Sequence, residues 1–303
     1  MIGQRSRGKM GLFSAWFLCL SLLPFSLAQG CDREFYIASQ ADADSVGRNC
    51  PIVNTSIFIN GSYTGSLVLN RVRNITKAVR VSWWDSTSPQ LTSVELPDLE
   101  YVDWIDLPEL TASKFSAPKL ETINRMNLGQ AAPGSELDFP SLVTAEQSLS
   151  IIGNYSSVNL ASLKTVNGVL AICIIEDCEE EESYSLIASA MNLTLSSLTS
   201  VGRLTLAVKT ESISLPDLET MIADSRVISG INIRVLDATT SLNIPRLSNL
   251  KRALNIQGSI SSLNLFSLHD AEDSISIETT HPLNISLPLA KAEDLFLTGA
   301  IER

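Results

Sequence analysis

The sequence predicts an all-β protein built as a solenoid, with coils of about 21–22 residues. Three observations carry this. An apolar-x-apolar-Pro-x-Leu phrase recurs along the chain, as VELPDL around Pro97 and again as FSAPKL around Pro118. Short segments such as LNIQG, LTLAV and SISI alternate apolar and polar residues and sit between Gly, Pro, Asn or Ser, the pattern of strands. No apolar period of 3.6 persists beyond two turns, and a Pro inside each phrase breaks helices.

The bulk numbers fit an ordered chain. Of 303 residues, 45% are apolar and 18% charged, which permits a sizeable core and argues against disorder. Net charge is −11. So acidic a chain repels phosphate backbones and anionic surfaces, so nucleic acid is excluded as a partner.

Residues 1–28 read as a signal peptide. Arg5, Arg7 and Lys9 form a basic start, Gly11 to Ala28 is apolar, and Ser26 and Ala28 supply small residues for cleavage before Gln29. Removing these three cations takes the net charge from −11 to −14. No other stretch is apolar and long enough to span a bilayer.

The next segment, 29–65, is expected to cap the solenoid. It holds Cys31 and Cys50; Cys173 and Cys178 lie further on, and Cys19 leaves with the signal. Four cysteines behind a signal peptide predict disulfides, and of the three possible pairings the local one is chosen, Cys31–Cys50 with Cys173–Cys178. A zinc site is disfavoured, because no CxxC is present and nothing brings His269 or His281 near the cysteines. Six N-x-S/T sequons, at Asn54, Asn60, Asn74, Asn154, Asn192 and Asn284, predict N-glycosylation and mark surfaces that must stay exposed.

The solenoid is expected over 66–303. After Pro97 and Pro118 the phrase returns as LDFPSL at Pro140, VNLASL with Ala161 in the proline slot, ISLPDL at Pro216, LNIPRL at Pro245, LNLFSL with Phe266 in the slot and ISLPLA at Pro288. The steps are 21, 22, 21, 55, 29, 21 and 22; a partial copy, LTLSSL at Ser196, splits the 55 into 35 and 20. IDLPEL at Pro108 falls half a period out, which suggests two strand-and-corner units per coil. A coil of this length cannot bury its own apolar face. It closes as two or three short strands, at roughly 3.3 Å per residue, and pairs each strand with its counterpart in the next coil. The two apolar residues before Pro are expected to point inward, as is the Leu two places after it. Leu99, Leu120, Leu142, Leu163, Leu198, Leu218, Leu247 and Leu268 would then form one internal column.

The 55-residue step contains Glu176, Asp177 and Glu179 to Glu182. This acidic run is read as a solvated loop near 174–190, pinched by Cys173–Cys178, in preference to a calcium site, since its spacing matches no calcium loop.

Chemistry is sparse. His269 and His281 are the whole histidine stock, with no G-x-S-x-G elbow, P-loop or G-x-G-x-x-G, so neither catalytic nor cofactor-binding residues are assigned, and no metal. Asp98, Glu109, Asp217 and Asp237 are the acids a β-helical polysaccharide enzyme would need, but their scatter reads as solvation. Trp83-Trp84 is read as packing under the cap or against Trp104, with an exposed sugar-stacking Trp as the alternative. Arg71, Arg73, Lys77 and Arg80 are read as a solvated face beside the Asn74 sequon.

The L-x-x-P-x-L period, the Cys31-to-Cys50 opening and ALNIQGSISSLNLFSL resemble the receptor L-domain solenoids. More narrowly the chain, over about residues 31–303, looks like the fungal cell-wall-organisation proteins of the sporulation-specific/extracellular-mutant type. The resemblance implies a right-handed parallel β-helix and a non-enzymatic, secreted cell-surface glycoprotein. It would contact cell-wall polysaccharide or wall proteins as a scaffold or recognition surface. Members usually end in a Ser/Thr-rich stalk with a GPI signal. This chain stops at LFLTGAIER without either, so a membrane link would exist only through an anchor absent from it, and the expectation is a truncated C-terminus or an end covered by another copy or partner. A carbohydrate-active β-helix enzyme and a ligand-binding receptor-type ectodomain are the alternatives.

Overall fold

The computed structural model describes residues 30–82, 87–174, 178, 190–222, 230–285 and 287–302. These residues wind as a parallel β-solenoid of about 11 turns, each coil hydrogen-bonded to the next. The predicted fold class is therefore the observed one. One broad sheet runs the length of the stack, from Phe35–Ile37 through Ile57–Ile59, Tyr101–Leu107 and Ser200–Val208 to Leu295–Glu302.

Between bulges its strands alternate inward and outward, which sets what each face presents. The inward column passes from Ile105 to Met126, Leu149, Leu170, Leu204 and Ile231 in register, and each of these is buried. The Pro-x-Leu leucines form a second buried column, from Leu99 to Leu268, each at most 1% exposed. Inside, Phe115 and Phe139 meet edge to face at 5.1 Å, the preferred aromatic geometry.

The corner explains the phrase. In VELPDL the Leu99 N–H donates to the Leu96 carbonyl at 3.3 Å, and Leu120 to Ala117, Leu142 to Phe139 and Leu218 to Leu215 repeat the contact. This is a β-turn with Pro second, where its fixed φ costs nothing and its missing N–H is not needed. Three coils lacking Pro make the same turn, Leu163 to Leu160 at 3.1 Å, Leu268 to Leu265 at 3.1 Å and Leu198 to Leu195 at 3.4 Å. In the first two the slot residue keeps an N–H that an Asn two places earlier accepts: Asn159 from Ala161 at 3.2 Å and Asn264 from Phe266 at 3.3 Å. Asn thus does for these coils what Pro does for the others.

The first coil is closed by the one helix among the described residues, Gln40–Asn49 (α1), which the strand periodicity did not predict. Ser39 caps it: its hydroxyl donates to Asp42 at 2.8 Å and accepts the Asp42 N–H at 3.4 Å, so S-x-x-D is the local signal for a helix start. Gln40 then mimics a strand edge. Its amide donates to the Val68 carbonyl at 2.7 Å and accepts the Val68 N–H at 2.9 Å, pairing backbone groups that the first coil leaves open. Cys31–Cys50, with Cα atoms 5.6 Å apart, ties the end of α1 to the opening segment. At the other extreme, Leu295 and Phe296 on the last strand are 46% and 55% exposed.

Candidate functional site

Outward columns on the broad sheet carry polar side chains that bond from coil to coil. Asn127 donates to Asp106 at 3.0 Å, Asn124 to Asp103 at 2.8 Å and Asn167 to Glu146 at 2.9 Å. Arg125 donates to Gln147 at 2.6 Å and lies 5.5 Å over the Trp104 ring, whose buried Nε1 has no hydrogen-bond partner. At the N-terminal edge the column becomes aromatic: Tyr36 stacks on Phe58 at 5.2 Å, and Arg80 covers the ring of Phe58 at 5.0 Å. Of the basic residues read as solvated, Arg71, Arg73 and Lys77 are exposed. Arg80 is half-buried in this stack.

Towards the other end one column forms a cleft of about 530 Å³. Arg234, Gln257 and Glu278 occupy the same outward position on three consecutive strands. Arg234 Nε donates to Gln257 Oε1 at 3.1 Å, and Gln257 Nε2 donates to Glu278 Oε2 at 3.3 Å. Arg234 is only 8% exposed, whereas Glu278 is at the surface. Asp237 and Thr280 complete the rim. Gly258 leaves the floor open; its φ of +122° and the Val235 carbonyl oxygen, 2.4 Å from where a Cβ would stand, both require glycine. The parallel column beside the cleft passes from Asn232 to Asn255, Ser276 and the exposed Phe296. A smaller cavity of about 320 Å³, between α1 and Phe35–Ile37, is lined by Arg33, Glu34, Tyr36, Asp42 and Asn49.

The acids singled out in the sequence separate into two groups. Asp98 pairs with Lys119 at 2.7 Å and Asp217 with Arg246 at 3.0 Å. All four occupy the position after the proline slot, so each pair bridges successive corners. Lys119 and the Arg71 N–H together hold the Asp98 carboxyl below the usual aspartate range. Glu109 accepts a hydrogen bond from Ser88. Only Asp237 lies in the cleft, where it joins Glu278. The sequence alone does not single out Arg234, Gln257 or Glu278. The signal that finds them is INIR, LNIQ and ISIE, three quartets in one register at steps of 23 and 21.

His269 is exposed, with Nδ1 3.2 Å from the Pro288 carbonyl oxygen, and exposed His281 uses its backbone to bond Thr279. Cys31–Cys50 and Cys173–Cys178 are joined as the local pairing predicts. Of the sequon asparagines, Asn54, Asn192 and Asn284 are exposed and Asn60, Asn74 and Asn154 half-buried. The signal peptide, Trp83-Trp84 and the acidic run at Glu176, Asp177 and Glu179 to Glu182 lie outside the described residues. Among the described residues no three His, Cys, Asp or Glu side chains gather as a metal site, and no helix is long and apolar enough to cross a membrane. No protein-family model, curated protein or solved structure matches the chain.

Proposed function

We propose that this chain is a non-enzymatic, secreted cell-surface glycoprotein that acts as a scaffold or recognition surface, in the fungal cell wall to which its resemblance points. The observation that carries the reading is the extended outer face, on which polar side chains of adjacent coils bond to one another, as at Asp103–Asn124, Asp106–Asn127 and Glu146–Asn167. Such an array is rigid and extended, and suits contact with a repeating partner better than the turnover of one bond. Two disulfides and six unburied sequon asparagines support secretion. The pairing of Asp98 and Asp217 with cations on the next corner gives these acids a structural role. The surroundings of Asp237 and Glu278 favour one second reading, a carbohydrate-active enzyme, because two carboxylates on one cleft are the minimum for glycoside hydrolysis.

Expression of the full chain in a secretory eukaryotic host tests this. Secreted protein beginning at Gln29, shifted in mass by endoglycosidase, with no release of reducing ends from β-glucan or pectin, is the expected result. Retention inside the cell overturns the reading. Release at enzyme-like rates that disappears in Asp237→Asn and Glu278→Gln replaces it with the second.

A further inference from the structure

We propose that the Arg234–Gln257–Glu278 cleft, with the Asn232–Asn255–Ser276 column beside it, binds an uncharged, hydroxyl-rich polysaccharide running across the coils. This rests on the surface-recognition reading above and names its ligand and its place.

The chemistry of the lining selects the ligand. Asn232, Asn255 and Gln257 each donate and accept, Ser276 and Thr280 do the same, and Arg234 donates against the acceptors Glu278 and Asp237. Sugar hydroxyls also donate and accept, so such a wall can pair with them group by group. A polyanion meets two carboxylates on a chain of net charge −11. A polycation would be held by charge alone at Asp237 and Glu278, a contact that salt removes and that leaves the Asn232, Asn255 and Ser276 groups unused. A protein partner would need an apolar interface core, and the cleft offers only Val235 and Leu236.

Geometry selects a polymer. Each column places one polar side chain per coil at the coil spacing of ~4.8 Å, close to the length of one pyranose unit in an extended glycan. Successive sugars along the stack therefore meet a hydrogen-bonding group at each of three coils, Asn232, Asn255 and Ser276 in one column and Arg234, Gln257 and Glu278 in the other. The Arg234–Gln257–Glu278 bonds fix three long side chains before any ligand arrives, which lowers the ordering cost of binding. Phe296 stands one strand beyond Ser276, 55% exposed on the same face, where its ring can lie against the apolar face of a sugar.

Retention of the full secreted chain on insoluble β-1,3-glucan and chitin, compared with cationic chitosan and a Lys-rich peptide resin, tests the proposal. Glu278→Ala, Asn255→Ala and Phe296→Ala alter exposed side chains, and an unchanged melting temperature certifies their fold; Lys119→Ala on a corner is the control. The expected result is retention on a neutral glycan that is indifferent to salt. It should fall about tenfold in each cleft or column variant and stay unchanged in the control. Retention equal to the parent in all three variants overturns the site while leaving the surface-recognition reading intact. Retention confined to chitosan or the peptide resin and removed by salt overturns the ligand class. No retention on any matrix overturns the inference, whereas the secretion and glycan tests decide the broader reading separately.

Discussion

Tyr155 is fully buried, and its hydroxyl has no hydrogen-bond partner. Burial pushes its ionisation far above the ordinary tyrosine value. The protonated form is thus favoured in the folded chain. Its contribution is complete below about pH 10, where unfolded tyrosine begins to ionise, and is lost as pH rises beyond that. Tyr155→Phe is expected to raise stability at neutral pH by about 1 kcal/mol and to flatten the alkaline limb of a urea-unfolding series. Leu142→Ala, in the leucine column, is expected to cost about 2–5 kcal/mol in the same assay. Ala161→Pro is expected to change stability by less than about 1 kcal/mol, because the stiffer unfolded chain offsets the lost Ala161 N–H bond to Asn159. The leucines are legible in the sequence because a turn at fixed spacing from Pro forces them inward. Arg234 is not, because a lone Arg on a strand reads as solvated, and only the stacking of three coils makes it the floor of a cleft.

At the level of elements, strands and corners were legible and α1 was not. Ten residues with few apolar positions give a weak helical period, so the helix shows only through its Ser39–Asp42 start. Ser39→Ala is expected to cost about 1 kcal/mol. The two disulfides should differ. Cys31–Cys50 closes 19 residues and Cys173–Cys178 only 5, so paired Ser substitutions are expected to cost about 3 and about 2 kcal/mol on chain-entropy grounds. Melting temperatures of the two double variants check the order. The cleft was illegible for a related reason. Its quartets lie on separate strands 21–23 residues apart, and register alone brings them together.

For the whole molecule, each coil contacts mainly its neighbours, so stability is close to a sum over coils and junctions. Hydrogen exchange is expected to be slowest in the central strands Thr144–Asn159 and Thr165–Cys173, with coils on both sides. It should be fastest in Leu295–Glu302, where apolar side chains are exposed. The parallel ladder has a mechanical consequence too. Its inter-coil bonds lie along the long axis, so a pull on the two ends loads them one after another, like a zip. Each released coil of about 21 residues lengthens the tether by up to ~70 Å. Stretched between two anchoring points, the molecule would yield in steps and absorb strain as an extensible link.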